Sequence, residues 1–294
     1  MAHFEFFVIL TLHNRFRGEK VTAMSQLPQN MMILDRMNEL GLSDPLYAFA
    51  LDELLCRRAG QGGPPVCHIW RYPQAFVLGS QDVRLPYARE AMDWLESNGW
   101  PVVVRNSGGA AVPLDGGVVN LSLIWPSSSE GHAGYRYDFE TMFGLIREAL
   151  LGTGRIVEKG LVEGAYCPGD YDLSIEGRKF CGIAQRRQVN ATIIQAFVVA
   201  EGSGSARAEF VRAFYDIASG GDDSLGHPIV VGSSTASLEE LAGLGPMAAF
   251  SFAGAIKDII SGGLGGAALV DALHLPERDE VEAIVASIRA RYLK

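Results

Sequence analysis

The dipeptide Glu176-Gly177 separates two short β-rich runs, residues 171–175 and 178–184, and constrains the fold more than any other feature. A two-residue loop whose glycine can take φ > 0 joins antiparallel strands tightly. A third β-rich run, 191–200, follows Gln188-Val189-Asn190, so the segment reads as a three-stranded antiparallel meander. The turn pins the register, and register decides which side chains share a face. Just upstream, Tyr166-Cys167-Pro168-Gly169 must leave regular structure, because proline has no place in a central strand. The chain thus sets a thiol, Cys167, on a loop, and returns a lysine, Lys179, two residues beyond the turn. The two are expected to be neighbours in space. The thiolate is the nucleophilic form of cysteine and a nearby ammonium favours it, an arrangement that suits acyl transfer. The plainer alternative is a buried, inert thiol.

A chain of 294 residues, 48% of them hydrophobic, can bury a sizeable core. Its net charge of −9 gives no support to nucleic-acid binding. The apolar run 4–12 is too short to span a bilayer, so no membrane segment is expected. Cys56, Cys67, Cys167 and Cys181 show neither CxxC spacing nor zinc-type histidine pairing, so no metal is expected. With no secretory signal in view, these cysteines point to a reducing cytoplasm. Cys56 falls on an expected helix, Cys67 at a strand start and Cys181 inside a strand, which makes those three structural.

Apolar periodicity predicts helices over 45–58, 86–98, 207–218 and 277–293, with strands over 66–72, 75–78, 102–105 and 118–125. Ser43 or Asp44 is expected to cap the first helix, and Asp138 to cap another carrying Phe139, Met142, Phe143, Ile146 and Leu150 on one face. Ser237-Leu-Glu-Glu240 reads as a capping box. Helices interspersed with hairpin-connected strands indicate an α+β fold, with mixed, mainly antiparallel sheets flanked by helices.

A second constellation is Arg105-Asn-Ser-Gly-Gly-Ala-Ala111, a small-residue loop between strands. Ser107, Gly108, Gly109 and Ala110 leave backbone N–H groups open to a carbonyl or carboxylate oxygen, with little side chain in the way. Asn120 and Ser122 project from one face of the following strand. The loop lacks a P-loop ending and GxGxxG spacing, which disfavours a nucleotide reading.

With both stretches in view, the chain resembles the biotin/lipoate protein ligase superfamily, and within it the lipoate-protein ligase A-like proteins. The residues that carry the resemblance are the Arg105 loop, Asn120-Leu-Ser-Leu-Ile124 and Asp172-Leu-Ser-Ile-Glu-Gly-Arg-Lys-Phe-Cys-Gly-Ile-Ala-Gln-Arg-Arg187. It covers about residues 45–220. Lys179 matches the family's catalytic or carboxyl-contacting lysine. The Cys-Pro-Gly-x-x-Asp-Leu-Ser form, beginning at Cys167, is similar to octanoyltransferases that work through an acyl-enzyme thioester. Where many ligases carry His-Asp after the glycine loop, this chain has Pro113-Leu114-Asp115, which weakens an adenylating reading.

The resemblance implies catalytic roles for Cys167 and Lys179, with Lys179 stabilising the thiolate or the oxyanion. It implies substrate contacts from Arg105, Ser107, Gly108, Gly109, Ala110, Asn120, Asp172, Gly182 and Gln185. It also implies no cofactor, the glycine cleavage H protein as octanoyl donor, and lipoyl domains of 2-oxoacid dehydrogenase E2 subunits as acceptors. Composition and pattern add a division into a peripheral N-terminal extension over 1–40, a catalytic domain over 41–220 and a helical C-terminal segment over 221–294. The alternatives are an octanoyl-acyl carrier protein-dependent octanoyltransferase, an ATP-dependent ligase, or a lipoyl-domain binding module with a structural thiol.

Overall fold

The computed structural model of the protein describes residues 27–28, 30–40, 44–105, 108–127, 135–188, 190–262 and 273–292. In chain order its elements begin with β1 (Met32–Arg36), α1 (Tyr47–Ala59), β2 (Val66–Trp70), β3 (Gln74–Leu78), α2 (Ala88–Ser97), β4 (Val102–Val104), β5 (Val112–Asp115) and β6 (Val118–Pro126). They continue with α3 (Tyr135–Ala149), β7 (Glu158–Lys159), β8 (Leu173–Ile175), β9 (Arg178–Gln188), β10 (Ala191–Val199), α4 (Gly204–Ser219), α5 (Leu238–Ala242), α6 (Ala248–Ile260) and α7 (Arg278–Tyr292). Seven strands form one sheet in the order β1-β2-β6-β10-β9-β8-β7, and three form another, β4-β3-β5. Among the described strands only the β1/β2 and β3/β4 pairs are parallel. This is the mixed, mainly antiparallel α+β architecture read from the sequence.

The meander β8-β9-β10 forms where the turn predicts it. Glu176 (φ 53°) and Gly177 (φ 74°) both lie in the left-handed region, as a type I′ turn requires, and its twist matches that of the flanking strands. A bulge then interrupts the β8/β9 register: Ser174 pairs with Lys179, but Leu173 pairs with Cys181. Phe180 and Cys181 consequently enter the same core, whereas Gly182 and Ala184 line a cavity on the opposite face. Bulges re-aim side chains in this way, and here the bulge turns Lys179 towards the cavity side.

Alternation along β6 sorts the core into two layers. Val119, Leu121, Leu123 and Trp125 pack with residues of α3, α5 and α6. Val118 and Ile124 belong to the layer that holds α1, α2, α4, α7 and the small sheet, and Asn120 and Ser122 point the same way.

Several elements differ from the expectation. β1 lies within the first 40 residues and pairs in parallel with β2, so that part of the supposed extension belongs to the large sheet. β5, absent from the sequence reading, pairs with β3. α3 begins at Tyr135, which puts Asp138 inside its first turn rather than at a cap. The Asp44 carboxylate accepts from Leu46 N–H just ahead of α1, and Ser43 lies outside the described residues. The capping box at Ser237 and Glu240 is formed. In the C-terminal segment, α6 packs on α3 and α7 on α1.

Candidate active site

Residues directly opposite each other on paired strands share a face. One such row runs Gly182, Phe197, Asn120, Trp70, and the next Ala184, Gln195, Ser122, His68. All of these except His68 line a cavity of about 280 Å³, closed from the other side by Phe49, Val77, Val112, Leu114, the glycine loop and the 167–172 segment. The absent side chain of Gly182 makes room for Phe197, since a Cβ there would sit 2.6 Å from the ring. Asp52 of α1 braces the polar end. It accepts from Ser122 Oγ (2.5 Å) and Gln195 Nε2 (2.8 Å), and lies 2.8 Å from His68 Nδ1. Asn120 Nδ2 is buried and has no hydrogen-bond partner among the described residues, which leaves a donor for a bound group.

Cys167 lines this cavity with φ 46°, a conformation that costs a non-glycine residue about 1–3 kcal/mol and persists only when its surroundings hold it. Its Sγ is 3.4 Å from Ala110 N–H and 3.4 Å from Arg105 Nη2. Arg105 also fastens the loop, donating to Gly108 O (3.1 Å) and Ala110 O (2.7 Å). Gly109, at φ 99°, is a position only glycine fills. A Cβ would lie 2.4 Å from Arg105 Nη2 and 3.1 Å from the sulfur. Ser107 lies outside the described residues.

Lys179 is beside Cys167 as expected, but its ammonium meets the main chain. It donates to Tyr166 O (2.9 Å) and Cys167 O (2.6 Å), and pairs with Asp172 Oδ1 at 2.8 Å. Lys179 and Asp172 are both 1% exposed. Burial pushes the Asp172 carboxyl up and the Lys179 charge pulls it back down. The cation in contact with the sulfur is therefore Arg105, while Lys179 clamps the peptide groups on which the nucleophile is mounted. Gln185 lines the cavity and its amide is tied to Asp138, which also pairs with Arg187 at 2.9 Å. Asp115, at the departure from the ligase pattern, is held by Arg207 through two short contacts, 2.8 and 2.6 Å.

One brace escaped sequence reasoning. Tyr215 Oη accepts from Ala111 N–H (3.1 Å) and donates to Asp82 Oδ1 (2.8 Å), whose Oδ2 accepts from Gly79 N–H (2.7 Å). It fixes the main chain next to Ala110, and its members come from three separate stretches of the chain, 79–82, 111 and 215, with no shared spacing. The other cysteines are buried in the core, and burial raises all three thiols, Cys56 to about 12. Among the described residues no cluster of side chains could hold a metal ion, and no helix is long and apolar enough to cross a membrane.

Residues 44–258 match the family model described as the lipoyl protein ligase A/B catalytic domain. The chain is 42% identical over 213 residues to the octanoyl-[GcvH]:protein N-octanoyltransferase of Geobacillus kaustophilus, covering 72% of this chain and 75% of that one. It is 41% identical over 175 residues to the lipoyl-[GcvH]:protein N-lipoyltransferase of Listeria monocytogenes, covering 59% of this chain and 63% of that one. Among solved structures, lipoate-protein ligase A bound with ATP superposes with a TM-score of 0.60 at 16% identity, over 89% of this chain and 94% of that one, a likeness of fold.

Proposed function

Since the chain belongs to the lipoyl protein ligase A/B catalytic domain family, we propose that it is an octanoyltransferase working through a thioester on Cys167. The acyl group comes from a lysine of the glycine cleavage H protein and goes to a lysine of an E2 lipoyl domain, in a reducing cytoplasm and without ATP or metal. The observation that carries this reading is the sulfur of Cys167, a residue lining the cavity, with one guanidinium N–H and one main-chain N–H each 3.4 Å away. Both donors can hydrogen-bond a sulfur that carries negative charge, and charge-assisted hydrogen bonds of this kind are stronger than neutral ones.

In the first half-reaction the thiolate attacks the carbonyl carbon of the octanoyl-lysine amide. The C–S bond forms, the C–N bond breaks, and the amine leaves with a proton. The Ala110 N–H is placed to receive negative charge as it builds on the carbonyl oxygen, a contribution usually worth about 10²–10³ in rate. The octanoyl chain lies in the cavity over the β6, β9 and β10 rows. Lys179 acts through the Cys167 carbonyl, holding the strained turn.

Incubation with octanoylated H protein is expected to add one octanoyl group to Cys167, seen by mass spectrometry and removed by hydroxylamine. Cys167→Ala removes both the adduct and the transfer. An unmodified wild-type enzyme that still transfers octanoate would sink the mechanism, and a requirement for Mg·ATP would move the chain to the ligases. The Listeria relative's name favours a second acyl group, lipoyl, and the adduct mass from a lipoylated donor decides between them.

A further inference from the structure

A second cavity, about 580 Å³, shares Gly109 and Pro168 with the first. Gly109 adjoins Ala110, which donates to the sulfur, and Pro168 adjoins Cys167, so the second cavity lies beside the loop that carries the nucleophile and the loop that donates to it. Leu85, Pro86, Leu225 and Pro228 give the second cavity apolar surface, and Gln81, Asp82, Arg84 and His227 give it polar groups. The His227 ring stacks on Tyr215, with centroids 5.2 Å apart and planes 10° apart. Its Nδ1 is 3.1 Å from Pro228 O. A carbonyl oxygen can only accept, so Nδ1 carries the hydrogen and Nε2 of the neutral ring presents a lone pair. That Nε2 is buried and has no hydrogen-bond partner among the described residues. A buried acceptor without a donor is rare enough to call for one. A lysyl side chain supplies what is missing. Its methylene stem suits leucine and proline walls, and its nitrogen brings N–H donors.

We propose that this second cavity is a lysine channel, which admits the side chain of the protein substrate's lysine, and that His227 Nε2 accepts the proton from its ε-nitrogen. The proposal deepens the thioester reading and rests on it. In the second half-reaction the ε-amine arrives as its free base and attacks the thioester carbonyl carbon. The C–N bond forms, the C–S bond breaks, and sulfur leaves with the bonding pair as thiolate. The proton shed by nitrogen passes to His227 Nε2 and on to solvent. The first half-reaction runs the same geometry in reverse, with His227 returning a proton to the departing amine.

The test separates the two nucleophiles. The acyl-enzyme is made with p-nitrophenyl octanoate and isolated. It is then released with either an E2 lipoyl domain or hydroxylamine, which is small and needs neither channel nor base. In H227Q, release by the lipoyl domain is expected to fall by about 10²–10⁴ relative to release by hydroxylamine, the usual contribution of a positioned base. In L225W, which adds bulk at a position 43% exposed and so spares the core, the same ratio is expected to fall more than tenfold. Ratios that stay at the wild-type value in both variants overturn the channel alone. A wild-type protein that forms no acyl-enzyme overturns the thioester reading and the channel together.

Discussion

Arg105 and Lys179 flank the same cysteine, yet they hold different parts of it. Arg105 comes from the glycine loop, reaches the sulfur, and also donates to the carbonyls of Gly108 and Ala110. Lys179 comes from the hairpin and is nearly sealed from solvent. An ammonium has three N–H donors, and this one has three partners: Tyr166 O, Cys167 O and Asp172 Oδ1. One cation therefore tunes the nucleophile's chemistry, while the other fixes its conformation. Charge near a nucleophile does not by itself say which of these it does; the contacted atom does.

The largest effect expected from breaking this comparison is on stability. Lys179→Met strands the Asp172 carboxylate in a buried site, and breaking such a pair costs about 3–5 kcal/mol. The loss should grow with pH. Burial already raises the Asp172 carboxyl above its ordinary 3.8, and without Lys179 the main opposing charge is gone. A group whose folded pKa is raised contributes stability at low pH and loses it as pH rises through that value. Urea midpoints at pH 4 and pH 7 check the sign, and a deficit that shrinks towards pH 7 would contradict the pairing. Lys179→Arg keeps the charge but forces a larger, planar group into a buried slot, so it should recover little.

Arg105→Gln should leave the fold largely intact and act on the thiol. A hydrogen bond to a charged group contributes about 1.5–3 kcal/mol, so losing the guanidinium should slow reaction at the sulfur roughly ten- to hundredfold. The readout is the iodoacetamide rate at Cys167 at pH 7. The other three thiols should stay silent there, because burial lifts them, Cys56 to about 12. Folded Lys179→Met, assayed cold, should slow alkylation less than Arg105→Gln does. The reverse order would exchange the roles assigned to the two cations.

How much of this the sequence displays depends on whether a feature is local. The hairpin register is local, since Glu176-Gly177 demands one turn type, and that turn is the one formed. The period of two along β6 puts Asn120 and Ser122 on one face, and that face lines the cavity. The contact of Arg105 with the sulfur spans 62 positions, and no spacing announces it. The turn is enough to bring Lys179 near Cys167, but the bulge at Phe180 and the choice between sulfur and carbonyl depend on packing. β1 shows only a short apolar run, and its parallel partner is more than thirty residues away. Asp138 reads as a helix cap because aspartate favours that position, and its carboxylate instead answers Gln185 and Arg187 across the fold.

The smallest expected effect probes what Lys179 holds in place. Cys167 has φ 46°, and a side chain in the left-handed region costs about 1–2 kcal/mol that glycine avoids. Glycine in turn loses more freedom on folding, about 0.4–1 kcal/mol relative to alanine. In an ordinary loop Ala→Gly therefore destabilises. At this position the sign should invert, with Cys167→Gly more stable than Cys167→Ala by about 0.5–1 kcal/mol, within the reach of thermal unfolding. The advantage should persist when Arg105 is changed to Gln, because Arg105 reaches the turn through the sulfur that both variants lack. It should vanish in Lys179→Met, where the carbonyls of Tyr166 and Cys167 lose their donor and the loop is free to leave the left-handed region. A Gly-over-Ala advantage of equal size in all three backgrounds would mean that the strain is held by something other than the Lys179 clamp.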